Sequence, residues 1–189
     1  EKSCLLDIDN SEVMFAQGIH EKAYPASITK IITAILAIKY GDMDDVVTIS
    51  QNAVTLEEGS QLCGFQPGDM VTMDELFHGL LVYSGNDAAM AIAEHLGGSV
   101  ERFVEMMNEE ARALGATNTH FVNPTGLHDD DHYTTAYDIY LMLNEALNYD
   151  YFVDVMQLSV YNLTLTRGSE EVQLHLDSTD HYLTGEESA

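Results

Sequence analysis

Ser27 and Lys30 stand three residues apart in Tyr24-Pro25-Ala26-Ser27-Ile28-Thr29-Lys30. On a helix this spacing places both side chains on one face, with about 5–6 Å between their Cβ atoms. The residues that follow include Ile31, Ile32, Ala34, Ile35, Leu36, Ala37 and Ile38. A helix that is apolar nearly all round is a buried helix, so Lys30 is a lone cation on an element expected to lie inside the protein. An unpaired buried ammonium is costly, and the neutral amine is the cheaper state. A neutral amine beside a hydroxyl is a general base beside a nucleophile. The tetrad also arises by chance, and a lysine at a helix start often extends to water. The apolar flank favours the chemical reading, and a second motif adds to it.

That motif is Ser84-Gly85-Asn86, a tight glycine-bearing loop between two helical patterns. Such loops present side chains rather than bury them. A hydroxyl and an amide there could face Ser27 and Lys30 across a cleft. Alone, Ser-Gly-Asn is a common turn, and its force comes from its place downstream of Ser-x-x-Lys.

The elements that must position these residues can be read in order. Cys4–Asp9 and Glu12–Ala16 read as short strands around a turn at Asp9-Asn10-Ser11. Pro25 leads into a helix starting near Ser27 and ending at Gly41, a residue suited to a left-handed C-terminal position. Val46–Ile49 is a short strand, and residues 51–71 look irregular. Thr72-Met73-Asp74-Glu75 is a capping box for a helix carrying Leu76, Phe77, Leu80 and Leu81. Asp87 is expected to cap a helix running to Gly97-Gly98, and Ser99 one stopped by Gly115. Thr134 or Thr135 caps another, with Ile139, Leu143 and Leu147 facing inward. A short apolar helix follows at Tyr151–Met156. Val160–Thr166 and Val172–Leu176 alternate as a hairpin about Arg167-Gly168-Ser169-Glu170. Strands, then helices, then strands imply an α+β fold with a helical cluster inserted in an antiparallel sheet. Strands at about 3–16, helices at about 25–157 and the hairpin at about 160–177 make one domain over residues 1–189.

Composition narrows the partners. Seven Lys and Arg against 32 Asp and Glu give a net charge of −25 over 189 residues. Such a surface repels a phosphate backbone and anionic lipid, which excludes nucleic acid as a partner; the acidity itself reads as solubility. No stretch reaches the length of a membrane span, and the opening Glu1-Lys2-Ser3 reads as a mature or trimmed start. Cys4 and Cys63 are too few for a disulfide framework and read as small buried thiols. His128-Asp129-Asp130-Asp131-His132 has metal-ligand types, but it lacks the spacing of a known cation loop and reads as a solvated loop. No metal or cofactor is assigned. Asn162-Leu163-Thr164 is a glycosylation sequon, a pattern frequent by chance.

Pro25-Ala26-Ser27-Ile28-Thr29-Lys30 together with Ser84-Gly85-Asn86-Asp87-Ala88-Ala89 resembles the serine-type D-alanyl-D-alanine carboxypeptidases, the low-molecular-mass penicillin-binding proteins. Glu58-Gly59-Ser60, Pro67-Gly68-Asp69, Phe121-Val122-Asn123-Pro124-Thr125-Gly126-Leu127 and Tyr133-Thr134-Thr135-Ala136-Tyr137-Asp138 extend the likeness from about residue 4 to beyond 140. The resemblance implies a β-lactamase/penicillin-binding transpeptidase-like fold. It implies acyl transfer from a peptidoglycan stem peptide ending in D-Ala-D-Ala, and acylation by β-lactams. Ser27 would be the nucleophile, Lys30 its base, Ser84 a proton relay, and Asn86 would bind the substrate backbone and fix Lys30. The N–H of Ser27, at a helix start, would give half an oxyanion hole. Placement would be extracytoplasmic in a bacterium, secreted or membrane-associated.

One departure bears on activity. The Lys-Thr/Ser-Gly motif that this resemblance implies on a central strand is absent, and every lysine lies at or before Lys39. Tyr182-Leu183-Thr184-Gly185 lacks the lysine and reads as the loop before such a strand. The chain is therefore expected to be a cut one, inactive alone, with the strand in a missing C-terminal segment or a second chain. Two other readings stay open. One is a β-lactamase of the same fold, for which no deacylating acid or base stands out. The other is a non-catalytic module that binds peptidoglycan or a partner.

Overall fold

The computed structural model describes residues 3–7 and 12–180. The turn expected at Asp9-Asn10-Ser11, the Cys4 side chain and the Tyr182-Leu183-Thr184-Gly185 loop lie outside the described residues. Ser3–Asp7 (β1) and Glu12–Gln17 (β2) pair antiparallel, with a register shift between Leu5 and Leu6.

The apolar run after Ser27 forms the helix Lys30–Tyr40 (α1). Ile32, Ala34, Ile35, Leu36 and Ala37 are fully buried on it. Each large aliphatic side chain removed from water contributes about 1.5–3 kcal/mol, so α1 is fixed as the centre of the fold. Met73–Leu81 (α3), Asn86–Gly97 (α4), Val100–Ala113 (α5) and Ala136–Ala146 (α6) pack against it. Asp150–Met156 (α7) lies against α3, where the Phe77 and Tyr151 rings stack 4.9 Å apart.

The expected caps are present at three helix starts. Thr72, Ser99 and Thr135 each accept a hydrogen bond from the backbone N–H three residues on. The capping box at Thr72 is half made, because the Glu75 carboxylate instead accepts from the N–H of Thr164 in the sheet, 3.1 Å away.

Several details differ from the sequence reading. Ala26–Thr29 is a separate 3-10 turn, so the α-helix begins at Lys30 rather than at Ser27. Gly41 is extended (φ −89°, ψ 155°), not left-handed. A glycine is needed there because a Cβ would stand 2.6 Å from the carbonyl oxygen of Ala37. Gly85, not Asp87, caps α4, and Asp87 turns to another segment. Residues 51–71 contain the helical turn Gln51–Val54 (α2) and the strand Met70–Thr72 (β4). Four and three residues are too few to show a period.

The strands at the two ends of the chain lie in separate sheets among the described residues. Val46–Thr48 (β3) pairs with β4, which reaches Val160–Arg167 (β5) through Met70 and Thr166. Glu170–Asp177 (β6) closes the sheet in register with β5. Leu163, Leu165 and Leu176 turn into the core, giving an α+β fold of helices against an antiparallel sheet.

The junction between α4 and α5 makes two adjacent glycines unequal. A Cβ on Gly97 would lie 2.7 Å from the backbone nitrogen of Phe103, whereas Gly98 has open space and only its left-handed φ of +71°. Gly98→Ala should therefore cost about 1–2 kcal/mol, and Gly97→Ala should cost more, because the α5 backbone must move. Urea denaturation of the two variants measures this order, and equal losses would contradict it.

Candidate active site

Ser27 is exposed, and Lys30 lies directly beneath it, only 3% exposed. The lysine amine is surrounded by acceptors from three segments. Nζ is 2.7 Å from Asn86 Oδ1, 2.8 Å from the Thr125 carbonyl oxygen and 3.5 Å from Ser27 Oγ. Burial lowers the Lys30 pKa from 10.5 to about 8, partly opposed by the nearby Cys63 and Asp87. The amine is thus poised to give up its charge near neutral pH. Ser27, Lys30 and Ser84 line one cavity of about 280 Å³, walled by Ile28, Ile31, Leu80, Leu81, Phe152 and Met156. The four residues singled out from sequence, Ser27, Lys30, Ser84 and Asn86, are brought together. A hollow of about 610 Å³ beside Ser50, Met90 and Glu94 is larger, yet it offers no base beside a nucleophile.

Each residue is held by a particular local device. The turn carrying Ser27 starts in an unusual backbone conformation, with Ala26 at φ +48°. Gly126 packs so closely on that residue that a Cβ would collide with the Ala26 carbonyl oxygen, and its own φ is +86°. Only glycine meets both demands. Ser84 also has a positive φ, +60°, unusual for a residue with a Cβ. Its loop is fastened by Gly85 N–H to the Gly79 carbonyl at 3.0 Å and by Asn86 N–H to the Gln61 carbonyl at 2.8 Å. A Cβ on Gly85 would collide with Cys63 Sγ. Cys63 is a buried free thiol, and burial together with Asp87 pushes its pKa well up, so it packs as a neutral group.

Three further contributors were not legible as such. Asp87, 1% exposed, accepts from the backbone N–H groups of Cys63, Gly64, Phe65 and Ala88, joining the loop to the 61–65 segment. Its type and position suggested a helix cap. Asn123 Oδ1 accepts from Thr125 N–H and Oγ1 and from Gly126 N–H, and Asn123 Nδ2 donates to the Leu127 carbonyl. It folds residues 123–127 into the turn that offers the Thr125 carbonyl to Lys30. A backbone carbonyl has no signature in a residue string. Finally, His132 is buried at 2% exposure, while the loop 128–131 before it is solvated as expected. Its Nδ1 accepts from Val122 N–H at 3.1 Å, which leaves the ring proton on Nε2 to be donated to Thr29 Oγ1 at 2.8 Å. Among the described residues no group of three or more His, Cys, Asp or Glu is arranged to hold a metal ion.

The Ser27 N–H belongs to the first residues of the 3-10 turn, where it has no partner within the turn. A nucleophile above a deprotonatable amine, with a second hydroxyl across the cleft, is an arrangement able to carry out acyl transfer.

Residues 1–185 match the family of D-alanyl-D-alanine carboxypeptidases, Peptidase S11. The carboxypeptidase DacF of Bacillus subtilis (strain 168) is 39% identical over 155 residues, covering 79% of this chain and 39% of DacF. The crystal structure of DacD from Francisella tularensis superposes with a TM-score of 0.78 at 32% identity, over 94% of this chain and 42% of that one. The carboxypeptidase of Mycobacterium tuberculosis H37Rv gives 0.85 at 27% identity, over 96% and 67%. The chain thus spans about two fifths of the length of the curated relative DacF. Each match lies within one longer chain, which lends no support to a second chain supplying a strand.

The buried His132 makes stability depend on acid. Burial lowers its pKa from 6.5 to about 4, with Asp129 opposing and His120 and His128 assisting. A base depressed in the folded state favours unfolding when protonated. Its contribution is whole above pH 6.5 and fades as pH falls through about 4, a loss on the order of 3 kcal/mol when complete. Urea-denaturation stabilities of wild type and His132→Gln should converge over that interval. A constant difference would show that His132 does not titrate in this way.

Proposed function

The chain belongs to the D-alanyl-D-alanine carboxypeptidase family, and from that premise we propose that it is a serine DD-peptidase acting on peptidoglycan stem peptides that end in D-Ala-D-Ala. The supporting observation is how the hydrogens of Lys30 are assigned. A neutral amine has two N–H groups and one lone pair. Asn86 Oδ1 and the Thr125 carbonyl, at 2.7 and 2.8 Å, take the two hydrogens. The lone pair is left for the Ser27 hydroxyl, 3.5 Å away, a distance that substrate binding can shorten.

Ser27 Oγ would attack the carbonyl between the two D-alanines as its proton passes to Lys30. The negative oxygen of the tetrahedral intermediate would meet the Ser27 N–H and a second donor. Ser84 would relay the proton to the departing D-alanine nitrogen as the C–N bond breaks. Water would then cleave the ester on Ser27. Asn86 keeps its oxygen on Lys30 and has its amide hydrogens for a substrate carbonyl. A β-lactam carbonyl would follow the same first step, but its leaving nitrogen stays tethered, so the adduct persists.

Recognition of the terminal carboxylate needs a cation. No lysine follows Lys39, and Arg167 is committed to Asp69 through contacts of 2.7 and 2.8 Å. We assign that cation to a strand of the gene product outside residues 1–189, and little or no activity to these residues by themselves. Because the substrate is cell-wall peptide, we place the protein on the extracytoplasmic side of a bacterium. No helix among the described residues is long and apolar enough to cross a membrane.

The test is labelling of the intact gene product with a fluorescent penicillin, paired with release of D-alanine from a stem pentapeptide. A stable adduct is expected on Ser27, absent from Ser27→Ala and slowed roughly 100-fold or more in Lys30→Ala. Because the neutral amine is the active form, acylation should rise with pH and level off above about 8. Rapid turnover of the drug would favour a β-lactamase, and no adduct at all a binding module.

A further inference from the structure

We propose that His132 is a positioning residue for the nucleophile: its imidazole locks the turn that carries Ser27 to the loop that carries the carbonyl partner of Lys30. The inference rests on the serine DD-peptidase reading above and extends it to a residue that touches neither substrate nor base.

The need for such a lock is visible in the turn itself. Ser27 sits in a four-residue 3-10 turn with no side-chain cap, entered through the strained Ala26. Hydrogen-bond geometry in a 3-10 turn is poorer than in an α-helix, so the placement of the Ser27 hydroxyl depends on what grips the turn from outside. Behind it runs the segment 121–127. Thr33 Oγ1 on α1 donates to the Pro124 carbonyl at 3.0 Å, and Gly126 packs on Ala26 and beside the Thr29 hydroxyl, but neither contact is a hydrogen bond to a side chain of the turn. His132 does. Its Nε2–H is donated to Thr29 Oγ1, two residues after the nucleophile, and its Nδ1 receives the N–H of Val122.

Both ring nitrogens are therefore used, and in one tautomer only. Protonation would place a second N–H against Val122 N–H and break that side of the bridge. The neutral ring is favoured by burial beside Phe121, whose ring centre is 5.4 Å away. The charged or titratable groups that face it are Asp129, His120 and His128.

The lock also bears on the base. Lys30 owes its depressed pKa to burial, with Cys63 and Asp87 acting against it. The 121–127 loop closes one side of that burial by supplying the Thr125 carbonyl. Loosening His132 frees the loop, lets water approach the amine, and moves the Lys30 limb of the pH profile upward from about 8 towards 10.5. A residue that served stability alone would leave that limb where it is.

Four variants of the intact gene product test this: Thr29→Val, Thr29→Ser, His132→Asn and His132→Gln. Gln keeps a donor for Thr29 near the Nε2 position but gives up the acceptor for Val122, whereas Asn keeps that acceptor but cannot reach Thr29. The readout is the acylation rate constant with a fluorescent penicillin, followed from pH 6 to 10. Thr29→Val and His132→Asn should acylate about ten- to a hundredfold more slowly, with little change in the concentration needed for half-saturation. Their pH limb should move up. Thr29→Ser should stay within a few fold of wild type, with the limb in place, whereas His132→Gln should slow and shift in the same direction as His132→Asn, because each gives up one half of the bridge. The inference is overturned if Thr29→Val and His132→Asn retain the wild-type rate and limb, or if Thr29→Ser falls as far as Thr29→Val. The ¹⁵N shifts of the His132 ring in the wild type give a check that needs no variant to fold: a proton on Nδ1 instead of Nε2 also overturns it. Adducts on wild type with indifferent variants sink this inference alone. No adduct on wild type sinks the reading on which it rests.

Discussion

Everything at this site depends on enclosing one amine. Lys30 is removed from water by α1 and by two loops that close over it, and its hydrogens are claimed by Asn86 and the Thr125 carbonyl. An ammonium in that place pays heavily in lost hydration, while the neutral form is satisfied by two acceptors. The fold can be understood as the means of holding these acceptors still. Asn86 is set by the start of α4, and α4 packs on α1. Thr125 is set by the Asn123 turn, which Thr33 ties back to α1. The helix that carries the base thus also anchors what perturbs it.

The two strained residues of the described structure flank this enclosure. Ala26 and Ser84 are its non-glycine residues with positive φ, one beside the nucleophile and one carrying the second hydroxyl. Such conformations cost about 1–3 kcal/mol each and persist only where the surroundings over-determine them. The surroundings are evident here. Gly126 and Gly85 allow approaches that a Cβ would block, and Asp87 gathers four backbone N–H groups behind the second loop. The strain aims Ser27 and Ser84 at a common space, the cavity they both line.

Much of this was legible in the residues, and what was not has physical causes. The run Ile31–Ile38 announced a buried helix, and with it the buried lysine, because burial follows directly from apolar residues on every face. The caps at Thr72, Ser99 and Thr135 were legible because a hydroxyl at that position has one favoured partner. The strand Met70–Thr72 and the turn Gln51–Val54 were not, since elements this short are fixed by tertiary pairing rather than by local pattern. Asp87 was read as a cap because sequence shows position but not the segment at 61–65 that competes for its carboxylate. His132 looked like part of a hydrated acidic loop; its burial comes from Phe121 and Thr29, distant in sequence. The third contact of Lys30 is a main-chain oxygen, which no choice of side chain reveals.

The central claim is that the Lys30 amine gives up its charge near pH 8 rather than 10.5, because it is enclosed and the neutral form's two hydrogens are already taken. Direct titration of its Nζ, by ¹⁵N NMR of lysine-labelled protein with Lys30→Ala to assign the signal, tests this without any substrate. The account requires a midpoint near 8, well below the other lysines. A midpoint at the ordinary value of 10.5 would contradict it.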